Sequence, residues 1–218
     1  MLRPHHTTTY SHQIAILPPV YKPIPMINIV LFGPPGAGKG TQGAKLIDKY
    51  NLMHISTGDL FRKHLKGGTP LGKLAQEYMS KGNLVPDQVV IDMVDDKIRS
   101  SGDIEGVIFD GFPRTVKQAE ALDQLLAKME TSITTLVELM VTEDELKKRL
   151  ADRALKENRP DDAKPEVIDN RIAVYKSETV PVAQYYEKQG KYSAVIGIGD
   201  IDQIFENLCR EIDNHLLK

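Results

Sequence analysis

The chain has 218 residues, enough for one substantial core with small excursions rather than two large domains. Its 41% apolar content and formal net charge of -2 are those of an ordinary globular protein, and nothing in that balance suggests a nucleic-acid or membrane partner. The single cysteine, Cys209, excludes an intramolecular disulfide and a thiolate metal cluster; it suits a reducing, cytoplasmic setting.

Residues 1–25 hold no acidic residue and are interrupted by Pro4, Pro18, Pro19, Pro23 and Pro25. The apolar run Ile14 to Leu17 is too short for a secretory core, and an organellar leader would want more arginine. This segment reads as a disordered tail or an upstream extension, because Met26 directly precedes the first clear strand. Ile27 to Phe32 is that strand, β-branched and ending at a glycine turn. Lys39 to Tyr50 then reads as a helix and Met53 to Ile55 as a short second strand. Residues 56 to about 100 are too long for a simple crossover and hold helical pieces broken at Gly67-Gly68 and at Gly82 to Pro86. The first part of that insert, 56–85, reads as a small helical subdomain that moves as a unit.

Val107 to Phe109 and Thr135 to Met140 are the third and fourth strands. From Thr142, a candidate N-cap with Glu145 three positions on, a charged helix runs through Leu146 and Leu150. Ala154 to Ala163 is charged and broken by Pro160; it is either a plain exposed connection or a flap over a substrate. Tyr192 to Ile196 is the fifth strand. Asp200 can cap the last helix, where Ile201, Ile204, Phe205, Leu208, Cys209, Ile212 and Leu216 form one stripe. Apolar strands alternating with helices point to an α/β fold with a parallel sheet covered on both faces.

The strongest signal is Gly33-Pro34-Pro35-Gly36-Ala37-Gly38-Lys39-Gly40-Thr41-Gln42, set between a predicted strand and a predicted helix. Glycines there let backbone N–H groups wrap phosphate oxygens, and the helix N-terminus adds its partial positive charge. Lys39 is placed to reach a transferring phosphate, with Thr41 or the Gly40 N–H completing the cradle. The hydroxyl comes one position later than in the commonest phosphate loop. This motif specifies nucleoside triphosphate binding without saying where the γ-phosphate goes.

A second group of residues suggests a phosphoryl acceptor. The third strand delivers Asp110 to its carboxyl end, where it can orient water on Mg²⁺. Gly111-Phe112-Pro113-Arg114-Thr115 and Gln118 follow, so a glycine–proline turn holds an arginine just past that carboxylate. Arg62, Arg149, Arg153, Arg159 and Arg171 are further candidates, and Arg149 and Arg153 share a helix face. Arginine forms paired charge-assisted bonds to phosphate, which two polyanionic substrates need if they are to meet. No general base is required, because a phosphate monoester with a second pKa near 6 is largely dianionic at neutral pH. His54 therefore reads as structural.

From Met26 onward the chain resembles the adenylate kinase family of nucleoside monophosphate kinases. The resemblance rests on Gly33 to Gln42, Ser56-Thr57-Gly58-Asp59, Asp110 to Thr115 with Gln118, and Arg159 followed by Asp161-Asp162. It implies a P-loop fold with a five-stranded parallel sheet: core segments 26–55, 86–153 and 164–218, an AMP-binding subdomain 56–85, and a short lid 154–163. ATP-Mg²⁺ would lie on Gly33, Gly36, Ala37, Gly38, Lys39, Gly40 and Thr41, with Arg149, Arg153 and Gly199 on the donor side. AMP would meet Thr57, Arg62, Val85, Gly111, Arg114, Gln118, Arg159 and Arg171, while Lys39, Arg114, Arg149, Arg159 and Arg171 surround the moving phosphoryl. Asp161 and Asp162 would tie the closed lid. The lid holds no Cys or His, so no structural zinc is expected. One extra residue near Pro165 places Arg171 slightly off the family spacing. The implied activity is ATP + AMP = 2 ADP in a monomer. A UMP/CMP kinase is the near alternative, and Thr57 with Gln118 favours adenine over it. A non-catalytic nucleotide-binding scaffold would be missing cations, yet Lys39 and all six arginines are in place, and no guanine-reading Asn-Lys-x-Asp segment marks a GTPase.

Overall fold

The computed structural model of the protein describes residues 26–102, 104–157, 162 and 164–217. The expectations for residues 1–25, Arg159 and Asp161 lie outside these, as does half of the proposed lid. Five strands form the sheet: β1 (Ile27–Phe32), β2 (Met53–Ser56), β3 (Gly106–Asp110), β4 (Thr135–Met140) and β5 (Tyr192–Ile196). Their order is β2-β3-β1-β4-β5, and every pairing is parallel. Register sets Leu31 beside Asp110 and Phe32 beside Glu138, so the ends of β1, β3 and β4 open onto one rim.

The sheet is buried on both faces because its strands are apolar at nearly every position. Along β1, Val30 and Phe32 join one cluster with Phe109, Leu122 and Tyr186, while Ile29 and Leu31 join another with Leu46, Leu208 and Ile212. Each such side chain contributes roughly 1.5–3 kcal/mol by leaving water. Helices α1 (Lys39–Tyr50) and α9 (Ile201–Leu216) cover the second face. The Asp200 carboxylate accepts from the N–H groups of Asp202 and Gln203 at 2.9 and 3.0 Å, and Cys209 is a buried, unpaired thiol within the α9 stripe.

Between β2 and β3 run α2 (Thr57–Lys66), α3 (Pro70–Met79) and α4 (Asp87–Arg99). Ser56 caps α2 by accepting from Asp59 N at 3.3 Å, and Thr69 caps α3 by accepting from Gly72 N at 3.1 Å. The α2 and α3 backbones touch at Gly72, where a Cβ would fall 2.4 Å from the main chain of His64 and Leu65. Helix α5 (Val116–Ala127) follows β3 under a Thr115 cap, and α6 (Glu143–Glu157) follows β4. Glu145, read from the sequence as the far half of a capping box, instead receives Arg149 Nε at 2.8 Å. Helices α7 (Pro165–Val174) and α8 (Val180–Glu187) are joined by a π turn, Tyr175–Thr179. Neither helix, nor the turn, is evident in the sequence pattern. Among the described residues, no helix is long and apolar enough to cross a membrane.

Candidate functional site

The strand order reverses at β1, and a cleft of about 920 Å³ opens there, at the carboxyl ends of β1 and β3. Gly33 leaves β1 at φ +136, and a Cβ there would come within 2.8 Å of Leu139 O, so the turn requires glycine. The loop then closes on itself through Ala37 N donating to Pro34 O at 3.1 Å, and α1 starts at Lys39. Gly33, Gly36, Ala37, Gly38, Lys39, Gly40 and Thr41 all line the cleft.

Lys39 Nζ donates to the carbonyls of Gly33 at 2.7 Å and Pro34 at 3.1 Å. Although the residue as a whole is half-exposed, its ammonium is deep among protein atoms. Burial lowers its pKa to about 8; Asp110 opposes the shift, while Arg114, Arg171 and Arg153 add to it. The folded pKa thus lies below the unfolded value of 10.5, so the buried charge costs stability below about pH 8 and that cost is relieved between there and pH 10.5. A polyphosphate beside Nζ reverses the balance and restores the proton. We expect nucleotide binding at pH 8.5 to take up a fraction of a proton, and Lys39→Met to abolish it. Calorimetry in buffers of different ionisation enthalpy measures this directly; equal uptake in both proteins would assign the proton to another group.

At the end of β3, Asp110 presents a carboxylate that is 16% exposed. His54 Nε2 lies 4.0 Å from Asp110 Oδ2 and is buried with no hydrogen-bond partner among the described residues, and His54 lines the cleft. Gly111, at φ +73, follows Asp110, and its carbonyl accepts from both Thr57 Oγ1 and Arg114 Nε at 2.8 Å. Gln118 Oε1 accepts from Arg114 N at 2.8 Å, and its Nε2 donates to Asp87 Oδ1 at 2.8 Å. Thr57, Arg62, Val85, Gly111, Arg114 and Gln118 all line the cleft, and Phe61, Met79 and Val90 add apolar lining. Arg62 Nη2 contacts Asp59 Oδ1 at 2.6 Å.

Further lining residues come from α6 and α7. Arg149 Nη1 donates to Gly197 O at 3.0 Å and reaches Ala37 O at 3.5 Å, joining α6 to the phosphate loop and to the turn before α9. Asp162, fully buried, accepts from Arg153 Nε at 2.6 Å and pairs through its other oxygen with Arg171 Nη1. Arg171 lines the cleft despite the extra residue before it. Its neighbour Asn170 donates to Lys81 O at 2.7 Å and Asn83 Oδ1 at 2.9 Å, fastening α7 to the loop after α3. Gly199, at φ +123, sits in the turn before α9 and does not line the cleft; Ile201 does.

Lys39, Arg62, Arg114, Arg149, Arg153, Lys156 and Arg171 line this cleft against Asp59, Asp110 and Asp152. A chain of net charge -2 therefore concentrates positive charge at one place, as two phosphate-bearing ligands require. Among the described residues, no group of three His, Cys, Asp or Glu side chains could hold a metal ion alone. A carboxylate at Asp110 and a hydroxyl at Thr41 fit Mg²⁺ held mainly by phosphate oxygens and water. Sequence reasoning missed Tyr175, whose hydroxyl donates to Glu138 Oε1 at 2.8 Å while Tyr192 donates to Oε2 at 2.7 Å. Burial, then the Glu138 charge, drives the Tyr175 pKa far above the ordinary phenol range, so it acts as a fixed donor that pins the π turn to β4.

The adenylate kinase family model matches residues 31–191. Among curated proteins, the adenylate kinase of Bacteroides fragilis is 45% identical over 188 residues, covering 86% of this chain and 99% of that protein. The adenylate kinase of Flavobacterium johnsoniae is 49% identical over 189 residues, covering 87% of this chain and 100% of its own length, and that of Flavobacterium psychrophilum is 47% identical with the same coverage.

Proposed function

This chain belongs to the adenylate kinase family, and from that premise we propose how its cleft is divided between two substrates. The activity is phosphotransfer, ATP + AMP = 2 ADP, on a five-stranded P-loop fold. ATP takes the half built on Gly33 to Thr41, with Arg149 and Arg153 beside it and the Gly199 turn near its base. AMP takes the half built on Thr57, Arg62, Val85, Gly111, Arg114 and Gln118. The observation that carries this division is the Gly111 carbonyl, which accepts from both Thr57 and Arg114 and so joins the start of the helical insert to the loop after β3.

The AMP phosphate, largely dianionic at neutral pH, attacks the γ-phosphorus in line without a protein base. Lys39, Arg114, Arg149 and Arg171, with Arg159 from the lid, neutralise charge as it spreads over the transferring group. Mg²⁺, when bound with ATP, neutralises the donor phosphates. Asp110 would hold one of the waters of its hydration shell. Asp162 keeps Arg153 and Arg171 spaced and aimed while substrate is absent. Segment 56–85 acts as the AMP-binding subdomain and 154–163 as a lid over ATP. We place the enzyme in the cytoplasm as a monomer, an assignment that light scattering and fractionation can check; its lone cysteine is buried and unpaired.

The decisive experiment compares transfer from ATP-Mg²⁺ to AMP, UMP, CMP and GMP in parallel. AMP should show the highest kcat/KM by at least about tenfold, given the polar contacts available to its base. Faster transfer to UMP or CMP would overturn the acceptor assignment and leave the fold untouched.

A further inference from the structure

We propose that Asp87 sets the acceptor-base selectivity by locking the orientation of the Gln118 carboxamide; the inference rests on the reading above, in which Gln118 meets the base of the acceptor. Gln118 is 1% exposed and lines the cleft. The two ends of a carboxamide have nearly the same size, so shape alone does not decide which end points where; hydrogen-bond partners do. Here both partners are one-sided. Arg114 N–H can only donate, and it meets Oε1 at 2.8 Å. The Asp87 carboxylate accepts from Nε2 at 2.8 Å. A flipped amide would set donor against donor at Arg114 and acceptor against acceptor at Asp87, at a side chain that is itself buried. Losing both bonds leaves the flipped form at roughly one molecule in a thousand or fewer.

Asp87 is itself held. Thr115 Oγ1 donates to the same Asp87 Oδ1 at 3.0 Å, and that hydroxyl also accepts from Gln118 N at 3.2 Å as the cap of α5. Asp87, Thr115 and Gln118 thus close a triangle between the first turn of α4 and the first turn of α5. This triangle joins the end of the helical insert, just past Val85, to the loop that carries Arg114. After these bonds, Oε1 keeps one acceptor site and Nε2 one donor.

An adenine edge offers an N6 amino donor next to a ring-nitrogen acceptor, the complement of that pair. Hypoxanthine carries an oxygen acceptor at the same carbon and a ring N–H beside it, the reverse pattern, and would match only the flipped amide. Asp87 touches no reacting atom in this scheme. It is a positioning residue, and what it positions is a choice between bases.

The test measures kcat/KM for AMP and for IMP, together with KM for ATP, in Asp87→Asn and Asp87→Ser. Asparagine keeps the shape but supplies a donor as well as an acceptor; serine keeps a helix-starting residue with no carboxylate. We expect the AMP-to-IMP ratio to fall about tenfold in both, through a rise in KM for AMP, with KM for ATP within about twofold. In a Gln118→Ala background, adding Asp87→Asn should change the ratio less than about twofold, because the effect passes through the amide. An unchanged ratio in both Asp87 variants, even with a lower Tm, overturns the inference and leaves Asp87 a helix-end charge. A ratio that falls equally without Gln118 also overturns it. If Gln118→Ala alone leaves the ratio unchanged, the reading of the acceptor pocket fails first, and the inference fails with it.

Discussion

Lys39→Met should fold at least as stably as the parent chain and lose about a hundred- to several-thousand-fold in kcat. The two halves of this expectation have one cause. The Lys39 ammonium is buried among Arg114, Arg171 and Arg153, and it rests on two carbonyls of its own loop, Gly33 O and Pro34 O. In the absence of substrate, that charge is a cost, which is why its pKa is pushed down to about 8. Methionine keeps most of the stem and removes the cost, so Tm should hold or rise. In the proposed mechanism the charge becomes the nearest compensation for the phosphoryl group in flight, and losing it should raise the barrier by about 3 to 5 kcal/mol. Steady-state kinetics with both substrates, beside thermal melts, separates the halves. A variant with normal kcat and a raised KM for ATP would mean that Lys39 binds ground state and transition state alike.

Where a segment's local chemistry and its place in the fold agree, the sequence was sufficient. The β-branched run at Ile27 ends at Gly33, a position that tolerates no side chain, and β1 and α1 fall on their expected bounds. The α9 stripe and its Asp200 cap are equally local. The phosphate loop, Asp110, Arg114 and Gln118 stand out because their chemistry is unusual for their positions, and all of them reach one cleft. What stayed hidden depends on contacts between distant segments. Helix α7 buries only Val167, Ile168 and Ile172, too few to give a clear period, and the π turn after it is held by Tyr175 reaching Glu138 across the sheet. Asp87 looks like an ordinary first-turn acid until α4 and α5 are brought together. His54, read as structural, faces Asp110 only because β2 and β3 pair with His54 beside Ile108. The resting contacts of Lys39 and the pairing of Asp162 with two arginines likewise belong to the folded chain alone.

Arg114→Ala should weaken AMP binding by about thirty- to a hundredfold and reduce kcat/KM for AMP by about a thousandfold, with affinity for an ATP analogue within about threefold. Arg114 Nε is occupied by Gly111 O at 2.8 Å, so the proposed contact with phosphate falls to the Nη atoms, and the direction of the fork is set by a main-chain carbonyl. That carbonyl also receives Thr57, at the start of the helical insert, so the arginine and the acceptor wall form one unit. Alanine removes a charge partner and a positioning device together, and the second loss appears in transfer as well as in binding. Lysine should rescue little, because its point charge lacks the planar fork that holds Gly111 O with one nitrogen while presenting two others to a phosphate. The Arg114 N–H is unaffected by either substitution, so the Gln118 amide should keep its partner and base selectivity should survive. Titrations with AMP and with a non-hydrolysable ATP analogue, taken separately on protein shown to be folded, give the two affinities. If the affinity for the ATP analogue falls and that for AMP does not, Arg114 serves the donor, and the two halves of the cleft are assigned the wrong way round.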